Sequence, residues 1–144
     1  MSRVHMENIT CIACGKESPY RYWDMIDPMM NQETKDKVLS GELFTFTCKH
    51  CGAKRRVTYD TIYQEVAKGR TFHLVTSEES YMQAVNIYAD RDSHSSPVLA
   101  HEIVRIVLSQ NQLAEKIRIF DEGLDDRIVE IIKAYFLSQL YEQQ

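Results

Sequence analysis

The sequence predicts an α+β protein, and three features carry that expectation. Two Cys-x-x-Cys-Gly turns stand 33 residues apart, aromatic and β-favouring segments flank them, and two apolar helical stripes fill the C-terminal third. The first two features describe a zinc ribbon over residues 1–60, an antiparallel β unit with a short inserted helix. Residues 61–144 read as a small α/β part ending in a helical hairpin.

The elements follow in order. Residues 19–26 (PYRYWDMI) are rich in aromatic and β-favouring side chains and read as a strand. Asn31 is placed to cap a short helix over residues 32–40, which Gly41 closes. Residues 43–48 (LFTFTC) form a strand with Phe44 and Phe46 on one face, and residues 53–59 return as another. Residues 60–68 are ambiguous: Ile62, Tyr63 and Val66 suit a helical turn ended by Gly69. Residues 70–76 (RTFHLVT) alternate as a strand. Ser77 caps a helix over residues 78–89 with Tyr81, Val85 and Tyr88 as its stripe.

Residues 90–97 (DRDSHSSP) read as a polar loop, and residues 102–108 as a further strand. Ser109, with Gln112 three residues on, makes a capping box for a helix whose stripe is Leu113, Ile117 and Phe120, stopped by Gly123. The last helix begins at Leu124 or Asp125 and runs to about residue 140. No internal repeat or low-complexity tract occurs.

Composition bounds what the chain does. Of 144 residues, 44% are hydrophobic, enough for a core and too many for wholesale disorder. The net charge of -4 is uneven: residues 1–60 balance at +1 and residues 61–144 at -5. Nucleic-acid binders draw affinity from a basic surplus, which the second part lacks. Neither a signal-peptide h-region nor an apolar span is visible. The expectation is a soluble, cytoplasmic protein with reduced thiols, and no membrane as a partner.

In that compartment four paired cysteines point to metal before disulfides. Cys11, Cys14, Cys48 and Cys51 are the expected ligands of one Zn2+ per chain. Two residues between cysteines let both thiolates of a pair reach one ion. The glycine after each pair suits a left-handed turn that aims backbone N–H groups at sulfur. A closed shell of four cysteines is typical of structural zinc. Iron in a rubredoxin-like site uses the same knuckles, and ligand softness alone does not separate the two. Two local disulfides fit a reducing compartment poorly, and a thioredoxin-like motif needs one pair at a helix start. His50, inside the second knuckle, reads as an exposed turn residue. His5, His73, His94 and His101 are too scattered for a second site.

No catalytic residue is indicated. Every thiol is committed to metal, and no nucleophile elbow, phosphate-binding glycine loop or His-Glu-x-x-His motif occurs. Lys49, Lys54, Arg55 and Arg56 form a small basic patch, with Tyr20, Tyr22 and Trp23 as candidate stacking platforms for single-stranded nucleic acid. A solvated strand face over an aromatic core is the preferred reading of the same residues. The acidic group Asp121, Glu122, Asp125 and Asp126 reads as helix capping.

The chain resembles the CpXC family, a group of mainly bacterial proteins without an established biochemical function. The resemblance rests on Cys11-x-x-Cys14-Gly15 and on Ser40-Gly41-Glu42-Leu43-Phe44 leading into Cys48-x-x-Cys51-Gly52. It rests most on residues 113–130 (LAEKIRIFDEGLDDRIVE). Ile12 and Lys49 stand where the family's name-giving proline is expected. Proline there stiffens the turn, so its absence removes no ligand. The resemblance implies no catalytic residue.

The last helix raises the question of association. Ile128, Val129, Ile131, Ile132, Tyr135, Phe136 and Leu140 cover about half its circumference, and Leu137 and Tyr141 fall beyond that arc. A homodimer through this helix is expected, the competing expectation being that β-segments of residues 70–108 wrap it within one chain. The functional expectation is a non-enzymatic, zinc-stabilised interaction module with an unknown protein partner. Its alternatives are a nucleic-acid-associated ribbon and an iron–thiolate redox protein.

Overall fold

The computed structural model of the chain describes residues 3–93 and 103–142. Among the described residues the elements run β1 (Arg3–Thr10), β2 (Glu17–Ile26), α1 (Gln32–Ser40), β3 (Thr45–Thr47), β4 (Lys54–Arg56) and β5 (Thr61–Glu65). There follow β6 (Arg70–Leu74), α2 (Glu78–Ser93), β7 (Ile103–Val107), α3 (Gln110–Asp121) and α4 (Asp126–Glu142). The fold is α+β: antiparallel strands bear the cysteines, a small α/β core follows, and two helices end the chain.

The main sheet has the order β1-β2-β5-β6-β7. The β1/β2 and β5/β6 pairs are antiparallel, and β2/β5 and β6/β7 are parallel. A separate antiparallel pair joins β3 to β4, with Phe46 opposite Arg55. The expected boundary at residue 60 lies between β4 and β5, and β5 to β7 extend the sheet that β1 and β2 begin. By compactness the chain divides into Met1–Leu113 and Ala114–Gln144.

In the first unit Ile26, Tyr63, Phe72, Leu74 and Val107 are buried. Tyr63 and Phe72 are register partners on β5 and β6, their rings stacked 6.2 Å apart. Strand β5 replaces the helical turn expected over residues 60–68. Its burial alternates through Thr61, Tyr63 and Glu65, a strand period. Glu65 hid that period because a carboxylate seldom faces a core. Here it is 2% exposed and meets the Arg70 guanidinium at 2.9 Å, two register partners closing the β5–β6 hairpin. The expected helical turn shrinks to a 3-10 turn over Val66–Lys68, which Gly69 ends in the left-handed region.

Other local expectations shift for physical reasons. Strand β1 was not anticipated: the alternation of Val4 and Met6 with Arg3, His5 and Glu7 stops at Asn8, both faces are exposed, and pairing with β2 along its whole length makes it a strand. The strands expected over residues 43–48 and 53–59 shorten to three residues each, because Glu42–Phe44 takes a 3-10 turn after Gly41. Asn31 occupies the cap position of α1, but its side chain makes no capping bond. Among the described side chains of α2 the buried one is Ala84, and Tyr81 is exposed. Ser77 does cap that helix, its hydroxyl accepting the Ser80 N–H at 3.1 Å. Residues 90–93, expected in a loop, continue α2, and the rest of that loop lies outside the described residues.

At the start of α3 the Gln112 N–H donates to the Ser109 hydroxyl at 3.1 Å, and the Gln112 amide oxygen accepts the Leu108 N–H at 2.8 Å. Its end is closed at Gly123, φ 73°, where the Gly123 and Leu124 N–H groups reach the Phe120 and Ile119 carbonyls. In the second unit α3 and α4 are tied by charge. Lys116 meets Asp126 at 2.8 Å and Glu130 at 3.7 Å, and Lys133 pairs with Glu115 and Glu130. Asp125 accepts the Arg127 N–H at 2.9 Å, so the two aspartates opening α4 are a cap and an ion-pair partner. Beyond Asp126 nearly every side chain of α4 is exposed.

Candidate metal centre

Each cysteine pair sits at the tip of a hairpin. The first knuckle joins β1 to β2, and the second joins β3 to β4. Their backbones are alike. Cys11 N–H donates to the Lys16 carbonyl at 2.9 Å, and Cys48 N–H to the Ala53 carbonyl at 2.9 Å. Gly15 N–H donates to the Cys11 carbonyl at 2.8 Å, and Gly52 N–H to the Cys48 carbonyl at 2.9 Å. Both bonds need a left-handed residue at the turn, and Gly15 and Gly52 supply it with φ of 74° and 76°.

The two tips bring all four sulfurs together. Cys11 Sγ lies 3.6 Å from Cys51 Sγ, and Cys14 Sγ 3.6 Å from Cys48 Sγ. All four sulfur atoms fall within 4.8 Å of one another. Zinc–sulfur bonds of about 2.3 Å place tetrahedral sulfurs about 3.8 Å apart, so the donor set and its size fit a dication held by four thiolates. Among the described residues no other group of His, Cys, Asp and Glu is so placed. Cys11 and Cys48 are buried and Cys14 and Cys51 exposed, which leaves one side of the cage toward solvent.

Hydrogen-bond donors converge on Cys48. The N–H groups of Cys51 and His50 and the Ser18 hydroxyl hold its thiol down at about 5 against the opposing effect of burial. Cys11 is likewise lowered, chiefly by the Cys14 N–H. For Cys51 the Ala53 N–H pulls down, but the neighbouring thiols and burial outweigh it and push the group up to about 11. Thiols crowded this closely oppose one another's ionisation, and a cation among them would favour the thiolate form.

Ser18, 1% exposed, was not visible as a site residue. Its hydroxyl donates to Cys48 Sγ at 3.7 Å and accepts the Lys49 N–H at 3.3 Å, tying β2 to the second knuckle. His50 is exposed, and its ring Nε2 reaches the Glu17 carbonyl at 3.2 Å rather than the sulfurs. Beneath the knuckles Tyr20 and Phe46 pack with Cys11 and Cys48, bordered by Ile9, Tyr22, Val57 and Tyr59. The Tyr20 hydroxyl donates to the Leu43 carbonyl at 2.7 Å. Tyr20 is therefore core and unavailable for base stacking, while Tyr22 and Trp23 are half-buried. Lys49, Lys54, Arg55 and Arg56 are exposed.

Two matched knuckles closing on one sulfur cage define a protein of the zinc-ribbon type whose four cysteines form a cluster able to coordinate a metal ion. The chain belongs to the CpXC family, whose model, described as CpXC protein, matches residues 9–133. The matched segment contains all four cysteines, α3 and the first half of α4. No curated protein matches the chain. No solved structure matches it either. Among the described residues no helix is long and apolar enough to cross a membrane.

Proposed function

We propose that this chain is a non-enzymatic interaction module stabilised by one structural zinc ion, with Cys11, Cys14, Cys48 and Cys51 as its ligands. The observation that carries the reading is the closed all-sulfur cage at the junction of two hairpins. Four protein donors leave no position for a substrate or an activated water, which suits a structural ion. The ribbon around the cage has a small aromatic core, so metal binding supplies much of its folding energy. Such a centre works where thiols stay reduced, in keeping with a cytoplasmic setting. Removal of metal with a strong chelator tests this: loss of amide protection in β1 to β4, restored by added zinc, is expected. A chelated protein with unchanged protection contradicts a structural ion.

A second reading is a nucleic-acid-associated ribbon, for which the exposed cations Lys49, Lys54 and Arg55 speak. Binding of single-stranded DNA or RNA over a salt series tests it. Affinity that falls steeply with salt supports contact with phosphates, and no binding at low salt removes it.

A further inference from the structure

Beside the cysteine cage lies a groove of about 250 Å³, set between Cys11, Ile12 and Ala13 of the first knuckle and Lys54 and Arg55 of β4. Phe46 also lines it and is the register partner of Arg55 in the β3–β4 pair. We propose that this groove takes one apolar side chain from an acidic peptide segment of a partner protein, with Lys54 and Arg55 pairing to carboxylates beside it. The proposal rests on reading the chain as an interaction module, and gives its partner a chemistry.

Three observations select that occupant. The first is the lining. Cys11 and Phe46 are 5% and 3% exposed, whereas Ile12 at the knuckle is 82% exposed. An apolar side chain seated against them would cover Ile12 and remove its own surface from water. The second is size. The volume equals about eight waters at ~30 Å³ each. That suits one large side chain and falls short of the ~300–1,000 Å³ of small-molecule sites.

The third is charge. Lys54 and Arg55 are exposed, and no carboxylate lines the groove. Among the described residues neither cation has an ion-pair partner. An acidic segment carrying an apolar side chain answers both the charge and the groove. Nucleic acid would answer the charge alone. Phe46 is the one aromatic residue lining the groove, and its ring is too buried to offer a face on which a base could stack.

The lining residues all belong to the unit Met1–Leu113, so the groove is complete without α4. Its two walls come from different hairpins that meet at the cysteine cage. Occupancy should therefore depend on the metal that holds those hairpins together.

The test is a titration of the full zinc-loaded chain with fluorescent pentapeptides, two glutamates on each side of a central leucine, phenylalanine or glycine. The leucine or phenylalanine peptide should bind at least about tenfold more tightly than the glycine one. Exchanging its glutamates for glutamines should weaken binding about tenfold, as should Lys54→Glu or Arg55→Glu. A strong chelator should abolish binding. Both cations are exposed, so the variants should keep their zinc, measured on the same samples. The peptide changes leave the protein untouched and decide the matter independently of how the variants fold. Equal binding of the glycine peptide, or no binding of any peptide at millimolar concentration by a chain with full zinc, overturns the proposal while leaving the zinc module intact. Tighter binding of an oligothymidylate strand would assign the patch to nucleic acid, and self-association lost in Arg55→Glu would assign it to a second copy; either result overturns the proposal too.

Discussion

Replacing Gly52 by alanine isolates how backbone conformation contributes to the metal centre. Gly52 has φ of 76°, where an L-residue costs about 1–2 kcal/mol. A Cβ at this position meets nothing within 4 Å, so no steric penalty is added. Alanine also restricts the unfolded chain, which returns about half a kcal/mol. The net cost is on the order of 1 kcal/mol, and it falls on the turn that aims the Cys51 and His50 N–H groups at Cys48. Competition with a chromophoric chelator should therefore show zinc affinity reduced about fivefold. Gly52→Asn should recover most of that loss, because asparagine tolerates the left-handed region. Gly15→Ala, at φ of 74° and equally open, should match it. Unchanged affinity in Gly52→Ala, or an asparagine variant as weak as the alanine one, would refute the argument from backbone conformation.

Cys48→Ser should abolish stoichiometric zinc and the protection of β1 to β4 while α3 and α4 keep their helix signal; circular dichroism with hydrogen exchange checks this, and wholesale loss of helix would show one cooperative unit. Arg70→Met leaves the buried Glu65 carboxylate with only the half-exposed Lys68 ammonium, 3.4 Å away, and should destabilise the chain by about 2 kcal/mol in urea unfolding. His73 is held below its ordinary value by burial, with Asp60 opposing, and its Nδ1 lies 3.0 Å from the Tyr88 hydroxyl. The unfolded chain then takes up this proton first. The contribution is intact above the unfolded value of about 6.5 and is lost as the pH falls below it. Thermal melts from pH 8 to 5 should therefore slope less in His73→Gln than in the wild type.

The parts of the fold that were legible in the sequence are those with strong local signals. The cysteine spacing and the two glycines specify the knuckles, and the Ser109/Gln112 box and Gly123 set the ends of α3. What was hidden depends on distant partners. Strand β1 is exposed on both faces and exists through pairing with β2, and its apolar alternation is limited to Val4 and Met6. Strand β5 was masked by Glu65, whose burial makes sense only once Arg70 lies opposite. The same logic applies at the metal centre. Spacing alone nominates the four cysteines, but Ser18 follows the first knuckle and yet reaches Cys48 of the second, 30 residues away, a contact that only the packing of the two hairpins reveals. The apolar excess of α4 was legible, and its nearly complete exposure was not, because the sequence leaves open which element covers a helix.

Native mass spectrometry of the chain, purified without added metal under reducing conditions, tests the central claim most directly. The account predicts a mass increment of one zinc ion per chain, lost in Cys48→Ser. A metal-free chain carrying two disulfides would contradict it, and stoichiometric iron in a red protein would replace structural zinc with an electron-transfer centre.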